Sequence, residues 1–469
     1  MKWGMFARRI KQEEQSEFWV VASRLAKATP SRFYELVERT LQEMKFADRV
    51  WELCRPAYAE EAKGGRPGID PVVYLKMLMV GFFEDLCSER AIAARCADSL
   101  SVRGFLGYDL CEATPDHSSL SVIRQRLGVE IYQRIFELIL EALHSHGLLR
   151  GKHLGIDSSV LEANASLRSL THRNTQEDYW AYVRRLASEA GVDGSDQEAV
   201  RRFDKKRPGR KTSNQEWVNP HEPEARIGKT KDGATDLIYK PEHVVDLETG
   251  AIVAAEVRAG DAADTAQCAE RLVEAGVTLG QVMPEVAAER LVQSVTADKG
   301  YFALAQIGEL QGLGIRTVVS DPQAAQRRRD KLSKEERAVL NRAQRAVGSE
   351  SGKELLRRRG QHLERSFEHI LDEGGMRQAT LRGRENLNKR HKLAAACYNL
   401  SQLLRRVHGI GTARQWLATN KSQLEILCAC LKYLRRVVAA LQRKIAEPIL
   451  PNKLLGLIFS HQDHQLSRA

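Results

Sequence analysis

Two aspartates and a glutamate sit at points where the 469-residue chain passes from apolar to polar. Asp157 ends HLGIDSSV (153–160), in which Leu154 and Ile156 share one strand face and Asp157 takes the other. Asp298 ends the apolar run SVTA (294–297), just before Lys299-Gly300 turns the chain. Glu364 lies in QHLERSFEHILDEG (361–374), where Leu363, Phe367 and Ile370 recur at helical spacing as a buried face. Glu364 is rotated about 100° from Leu363, at the rim of that face. Three carboxylates at one point repel one another and stay ionised only when cations neutralise them. Hard oxygen ligands suit Mg²⁺ or Mn²⁺. Two such ions about 3.5–4 Å apart activate an attacking oxygen and stabilise a leaving 3′ oxygen, which is phosphodiester cleavage and strand transfer.

Other carboxylates compete for these roles. An aspartate at a strand end serves equally as a turn former or helix cap. Asp321 also ends a strand, but Pro322 follows it and a turn role suffices. Asp246 faces a hairpin turn, and Asp261 with Asp264 reads as the start of a helix. Glu368, one turn after Glu364, is the rival for the third position. What favours Asp157, Asp298 and Glu364 is that all three agree with one order of elements.

That order begins at residue 150. A strand ends at Asp157, and two more in EHVVDLETGAIVAAEVRAG (242–260) flank the turn Glu248-Thr249-Gly250. A helix from about Thr265 to Ala275 comes next, then the strand ending at Asp298, a helix from about Phe302 to Leu313, the strand IRTVVSD (315–321) and the helix carrying Glu364. Three early antiparallel strands followed by alternating helices and strands is the order of the ribonuclease H-like α/β fold, a mixed five-stranded sheet with flanking helices. Its first and fourth strands are central neighbours, so Asp157 and Asp298 should converge.

Around this core, residues 1–150 read as a helical DNA-binding or supporting domain. It has an apolar helix from Pro71 to about Phe83, a helix in SERAIAARCAD (88–98), and another beginning at SSLSVIRQRLG with Ser118 or Ser119 as N-cap. Two short helices in succession could form a helix-turn-helix, or simply support the α/β core. The catalytic domain spans 151–375, with polar insertions at about 165–230 and 322–360. A helical C-terminal region, 376–469, includes the amphipathic stretch 422–446.

Net charge is +11 and the pI about 9.2, which favours a polyanionic partner such as DNA. No apolar run reaches the roughly 18 residues of a membrane span, and no secretory h-region opens the chain. The eight cysteines include no CxxC pair, so they read as reduced thiols in a cytoplasmic protein, and zinc is not expected.

The blocks GIDSSVLEANAS, YKPEHVVDLETGAIVAAEV, ADKGYF and HLERSFEHILDEGGMRQATLRGRENLNKRHKLAAACYNL are similar to those of the DDE transposases of bacterial insertion sequences. The resemblance covers roughly 65–410. It implies a catalytic triad at Asp157, Asp298 and Glu364, ligating Mg²⁺ or Mn²⁺ as a pair of ions. It further implies cleavage at terminal inverted repeats of double-stranded DNA, strand transfer into target DNA, a homodimer, and work at the bacterial nucleoid. Many relatives carry a Tyr and an Arg upstream of the glutamate and a Lys seven residues downstream; here Gly360 and Leu371 stand at the corresponding places. Positive charge for DNA is instead expected from Arg124, Arg126, Lys229, Lys231, Lys240, Arg365, Arg382, Arg384, Lys389 and Arg390, and base stacking from Trp180 or Trp217. A catalytically silent DNA-binding relative and a structure-selective nuclease on the same fold are the alternatives.

Overall fold

The computed structural model describes residues 31–59, 68–210, 212–265, 268–413 and 415–416. The amphipathic helix expected at 422–446 lies outside them. Seven helices come first: α1 (Arg32–Glu43), α2 (Phe46–Ala59), α3 (Pro71–Phe83), α4 (Glu89–Asp98), α5 (Leu100–Leu106), α6 (His117–Arg126) and α7 (Val129–Ser145). Helix α3 starts where Asp70 Oδ1 accepts from Val72 N at 2.8 Å and Pro71 fills the first position, where a missing N–H costs nothing. Nearly all of α3 is buried, as its continuous apolar sequence requires. Helix α6 is capped by Asp116 rather than by Ser118 or Ser119. One carboxylate oxygen accepts from both serine amides, a service a single hydroxyl performs less well.

The α/β part comes after them: β1 (His153–Ser158), β2 (Leu161–Glu162), β3 (Thr171–His172), α8 (Tyr179–Glu189), α9 (Gln197–Lys206), β4 (Trp217–Val218), β5 (Arg226–Lys229), β6 (Thr235–Asp246), β7 (Ile252–Ala259), α10 (Cys268–Val282), β8 (Ser294–Ala297), α11 (Leu304–Gly312), β9 (Arg316–Val319), α12 (Lys334–Gly348), α13 (Glu350–Phe367) and α14 (Arg384–His408). The five long-range strands lie in the order β7-β6-β1-β8-β9, the ribonuclease H-like arrangement, and β2 and β5 pair with the first half of β6 to make seven. Strand β6 runs antiparallel to both β1 and β7, whereas β1, β8 and β9 are mutually parallel. The carboxyl ends of β1, β7, β8 and β9 therefore emerge at one end of the sheet.

Two stretches depart from expectation. Helix α10 runs seven residues beyond Ala275, because Ala275, Thr278, Leu279 and Val282 form a buried stripe that outweighs its two glycines. The polar stretch 322–360 contains α12 and over half of α13, and α12 lies against the edge strand β9, with Leu340 and Ala343 buried and Ala346 and Val347 packed on the cluster of Leu247, Val318 and Leu355. The described chain up to Ala413 packs as one unit. Helix α14 joins its parts, packing on α7 and sealing the open edge of β7. Asn399 accepts from Ile252 N and donates to Ile252 O at 2.9 and 2.8 Å, and Lys392 donates to Ala255 O at 3.0 Å. These bonds satisfy backbone groups that an uncovered edge would offer to another strand.

Candidate active site

Leu154, Gly155 and Ile156 of β1 pair in parallel register with Val295, Thr296 and Ala297 of β8. Asp157 and Asp298 are the next residues on each strand, so they leave the sheet side by side, one strand spacing (about 4.8 Å) apart. The buried strand behind Asp298 fixes its position, while Asp298 itself is exposed. Asp157 is half-buried. Its Oδ1 accepts from Ser158 N at 2.9 Å, and its Oδ2 from Arg359 Nη1 at 3.0 Å. Burial pushes the Asp157 carboxyl up to about 6; Arg359 and the Ser158 amide oppose this, and the charges of Asp298 and Asp264 add to it.

Asp264 joins the site although its sequence position suggests only the start of a helix. It follows β7, whose direction delivers it to the same end of the sheet. Its Oδ1 accepts from Ser158 Oγ at 3.2 Å and from Lys240 Nζ at 3.0 Å. The strand order held the signal, since a carboxylate just after β7 must emerge near Asp157. Gly300 makes room for it: a Cβ there would stand 3.1 Å from Asp264 Oδ2. Tyr301 completes the DKGY turn by donating to the buried Glu242 at 3.0 Å, and Glu242 in turn accepts from Arg258 at 2.7 Å.

Helix α13 crosses the sheet to bring Glu364. Leu355 packs with Leu247 and Val318, and the Phe367 ring stacks on His243 with centroids 4.2 Å apart. His362 lies against Gly250, in the β6–β7 turn at the opposite end of the sheet from Asp157; a Cβ on Gly250, at φ +83°, would stand 2.8 Å from its ring. Glu364 follows His362 by about 200° of helix rotation, so it faces away from that turn, towards the end with the aspartates. It is exposed, as is Glu368 on the π-helical turn (Glu368–Glu373) that continues the helix. Among the described residues no three acidic, histidine or cysteine side chains converge closely enough to hold one ion. The structure thus joins Asp157, Asp298 and Asp264, and keeps Glu364 on the facing helix. Arg359 supplies the neutralising charge at Asp157.

The donor set fits a hard divalent cation. Asp157 and Asp298 offer adjacent oxygens, and the cost of ionising Asp157 among acidic neighbours is one that such a cation relieves. The rival carboxylates have structural work. Asp246 accepts from Arg150 N at 2.7 Å and Gly151 N at 3.1 Å, and Asp321 pairs with Arg327 at 2.6 Å. Asp261 lies 3.4 Å from Arg226.

The expected DNA-binding cations divide into two groups. Arg124, Lys389 and Arg390 have partners inside the helical layer. Arg124 pairs with Glu89 and bonds Asn386 at 3.3 Å, buried Lys389 donates to Arg124 O at 3.1 Å, and Arg390 donates to Leu86 O at 3.2 Å. Arg126 lies over the Tyr58 ring at 4.6 Å, and Lys240 is held by Asp264 and Ala262 O. Lys229, Lys231, Arg365, Arg382 and Arg384 are exposed. Trp217 is packed among His172, Tyr179 and Tyr182, whereas Trp180 remains largely exposed. The six described cysteines are free, and no described helix is long and apolar enough to cross a membrane.

Residues 23–126 match a transposase domain, and residues 193–400 match a transposase DDE domain; the second span contains Asp298 and Glu364, and Asp157 precedes it. A search of the curated proteins finds no match. Among solved structures, the Mos1 transposase paired-end complex with the left transposon end aligns at 10% identity and a TM-score of 0.19, over 67% of this chain and 82% of that one. A pre-cleavage Mos1 transpososome aligns at 10% identity and 0.19, over 72% and 97%. A TM-score that low establishes no shared fold.

Proposed function

We propose that the chain is a DDE transposase that cuts DNA at the ends of its own element and joins them to target DNA through a centre built on Asp157, Asp298 and Glu364. The observation that carries this reading is the register of β1 and β8, which sets two carboxylates side by side at the end of the sheet that α13 crosses. Asp157 and Asp298 would hold Mg²⁺ or Mn²⁺, with Glu364 as the third ligand and two ions as the full complement. Bound there, the metal supplies activation of the attacking oxygen and stabilisation of the leaving 3′ oxygen. The chain's own part is to fix the ligands. Strands β1 and β8 hold the aspartates, Tyr301 anchors the turn after Asp298, and the buried face of α13 sets the pitch of Glu364. Asp264 and Lys240 lie one shell out and orient Ser158 beside Asp157.

Exposed Lys229, Lys231, Arg365, Arg382 and Arg384 would neutralise DNA phosphates. Joining two element ends calls for two active centres, hence a homodimer, acting on the chromosome in the cytoplasm.

The test uses the inverted repeats that flank the reading frame as substrate. Asp157→Asn, Asp298→Asn and Glu364→Gln should each abolish Mg²⁺-dependent cleavage and still bind the end, while Glu368→Gln cleaves. Cleavage at the parental rate by any of the first three removes that residue from the centre.

A further inference from the structure

Among the ion pairs of α13, one differs from the rest. Lys353 with Glu350, and Arg357 and Arg358 with Glu354, pair along the helix surface. Arg359 instead reaches across to the sheet and donates from Nη1 to Asp157 Oδ2 at 3.0 Å. Its side chain is 16% exposed and that of Asp157 30%. The stem lies over β1 at Gly155, where a Cβ would meet Arg359 Cγ at 3.3 Å, so the strand leaves a lane for it. The contact is also incomplete. Arg359 Nε is buried and has no hydrogen-bond partner among the described residues.

We propose that Arg359 is a latch on Asp157: it competes with the divalent cation for Oδ2 and, once displaced, turns its guanidinium to the DNA phosphodiester being cut. The proposal rests on the metal-centre reading above. Its physical basis is charge. An ion bound at Oδ2 and a guanidinium 3.0 Å from that oxygen would be close like charges in a half-buried place, where such repulsion is weakly screened. One must leave. The guanidinium has somewhere to go, because its planar fork matches two phosphate oxygens as well as it matches a carboxylate. Arg359 precedes Glu364 by five residues, about 7.5 Å along the helix. Its stem over Gly155 and its bond to Asp157 already place the guanidinium at that end of the sheet, so the swing needs no movement of α13.

Mn²⁺ titration of the full-length protein without DNA, monitored by the loss of the free-ion electron paramagnetic resonance signal, tests the first half. It is run at pH 8.5 so that Asp157 is ionised in every variant. Arg359→Gln should bind Mn²⁺ about tenfold more tightly than the parent, the scale of one charge-assisted bond. Arg359→Lys, which keeps the charge without the fork, should fall between them and serves if the glutamine variant folds poorly. Equal or weaker binding by Arg359→Gln overturns the latch. Asp157→Asn is the reference: if it binds like the parent, the metal-centre reading itself fails, whereas lost binding there with no gain in Arg359→Gln sinks only the latch. Single-turnover cleavage at saturating Mn²⁺ tests the second half. Arg359→Gln should cut about tenfold or more slowly with end binding unchanged. Cutting at the parental rate would overturn the phosphate role.

Discussion

His391, fully buried on α14, is the place to perturb the frame that holds α13 over the sheet. Ser366 Oγ donates to Leu363 O at 2.9 Å, so it accepts from His243 Nδ1 at 2.8 Å. His243 Nε2 is then an acceptor and takes the proton of His391 Nε2 at 2.9 Å, which leaves His391 Nδ1 bare and without a partner among the described residues. The chain of bonds works only with both rings neutral. Burial, and after it the neighbouring Lys392 charge, pushes His391 down to about 3; burial and then His391 hold His243 well below the usual histidine range. An unfolded His391 takes up its proton near 6.5, so between these values the unfolded state binds more protons and acid favours it. Stability is therefore lost as the pH falls below 6.5. From pH 7 to pH 5 the loss through His391 alone is about 2 kcal/mol, and His243 adds in the same direction. His391→Leu removes the donor to His243, which costs about 1–3 kcal/mol at pH 7. It also removes the titrating group, so the variant should lose about 2 kcal/mol less than the parent on acidification. Urea unfolding monitored by circular dichroism at the two pH values measures both effects. An identical fall in parent and variant would refute the neutral-pair reasoning.

Two further substitutions probe what lies around the site. Arg258→Met removes the nearer of two arginines paired with Glu242, leaving Arg271 at 3.5 Å and the Tyr301 hydroxyl, and should cost about 1–3 kcal/mol in urea unfolding; an unchanged midpoint would contradict the pairing. Trp217→Ala should destabilise by about 3–5 kcal/mol and Trp180→Ala by no more than about 0.5, because only the first ring is enclosed; comparable losses in thermal melts would contradict that placement.

The strand order was legible because each core strand is a short apolar run ending in a carboxylate or a turn, and Asp157 and Asp298 stand where that order puts them. Elements whose stability comes from partners were harder to read. Nothing local extends α10 past Ala275, since GVTLGQV contains two glycines and two valines; the stripe on its buried face does so. The stretch 322–360 reads as an insertion by composition, yet an edge strand needs so narrow a cover that the few apolar residues Leu340, Ala343, Ala346 and Val347 suffice for α12. Asp264 was hidden for a different reason. Beside Asp261 and ahead of a helix it has an adequate local role, and only the direction of β7 assigns it to the site.

Positive charge was the least legible signal of all, since it gives a sum without a place. Lys389 and Arg390 sit in the same LRGRENLNKR segment as Arg382 and Arg384, yet they fall on the buried side of α14, where they tie it to α6 and to the α3–α4 turn. Arg382 and Arg384 come before that face is established and stay outside. Arg382 Nε donates to Asn164 O at 3.3 Å, just past β2, and Arg384 lies 3.7 Å from Glu224. Lys231 reaches Asp372 at 3.6 Å on the segment leading from the end of α13. Segments 164, 229–231, 372 and 382–384 thus gather beyond the carboxyl end of β1. These exposed cations lie at the end of the sheet where Asp157 and Asp298 emerge, a placement that a net charge of +11 cannot give and that suits the DNA contacts proposed above.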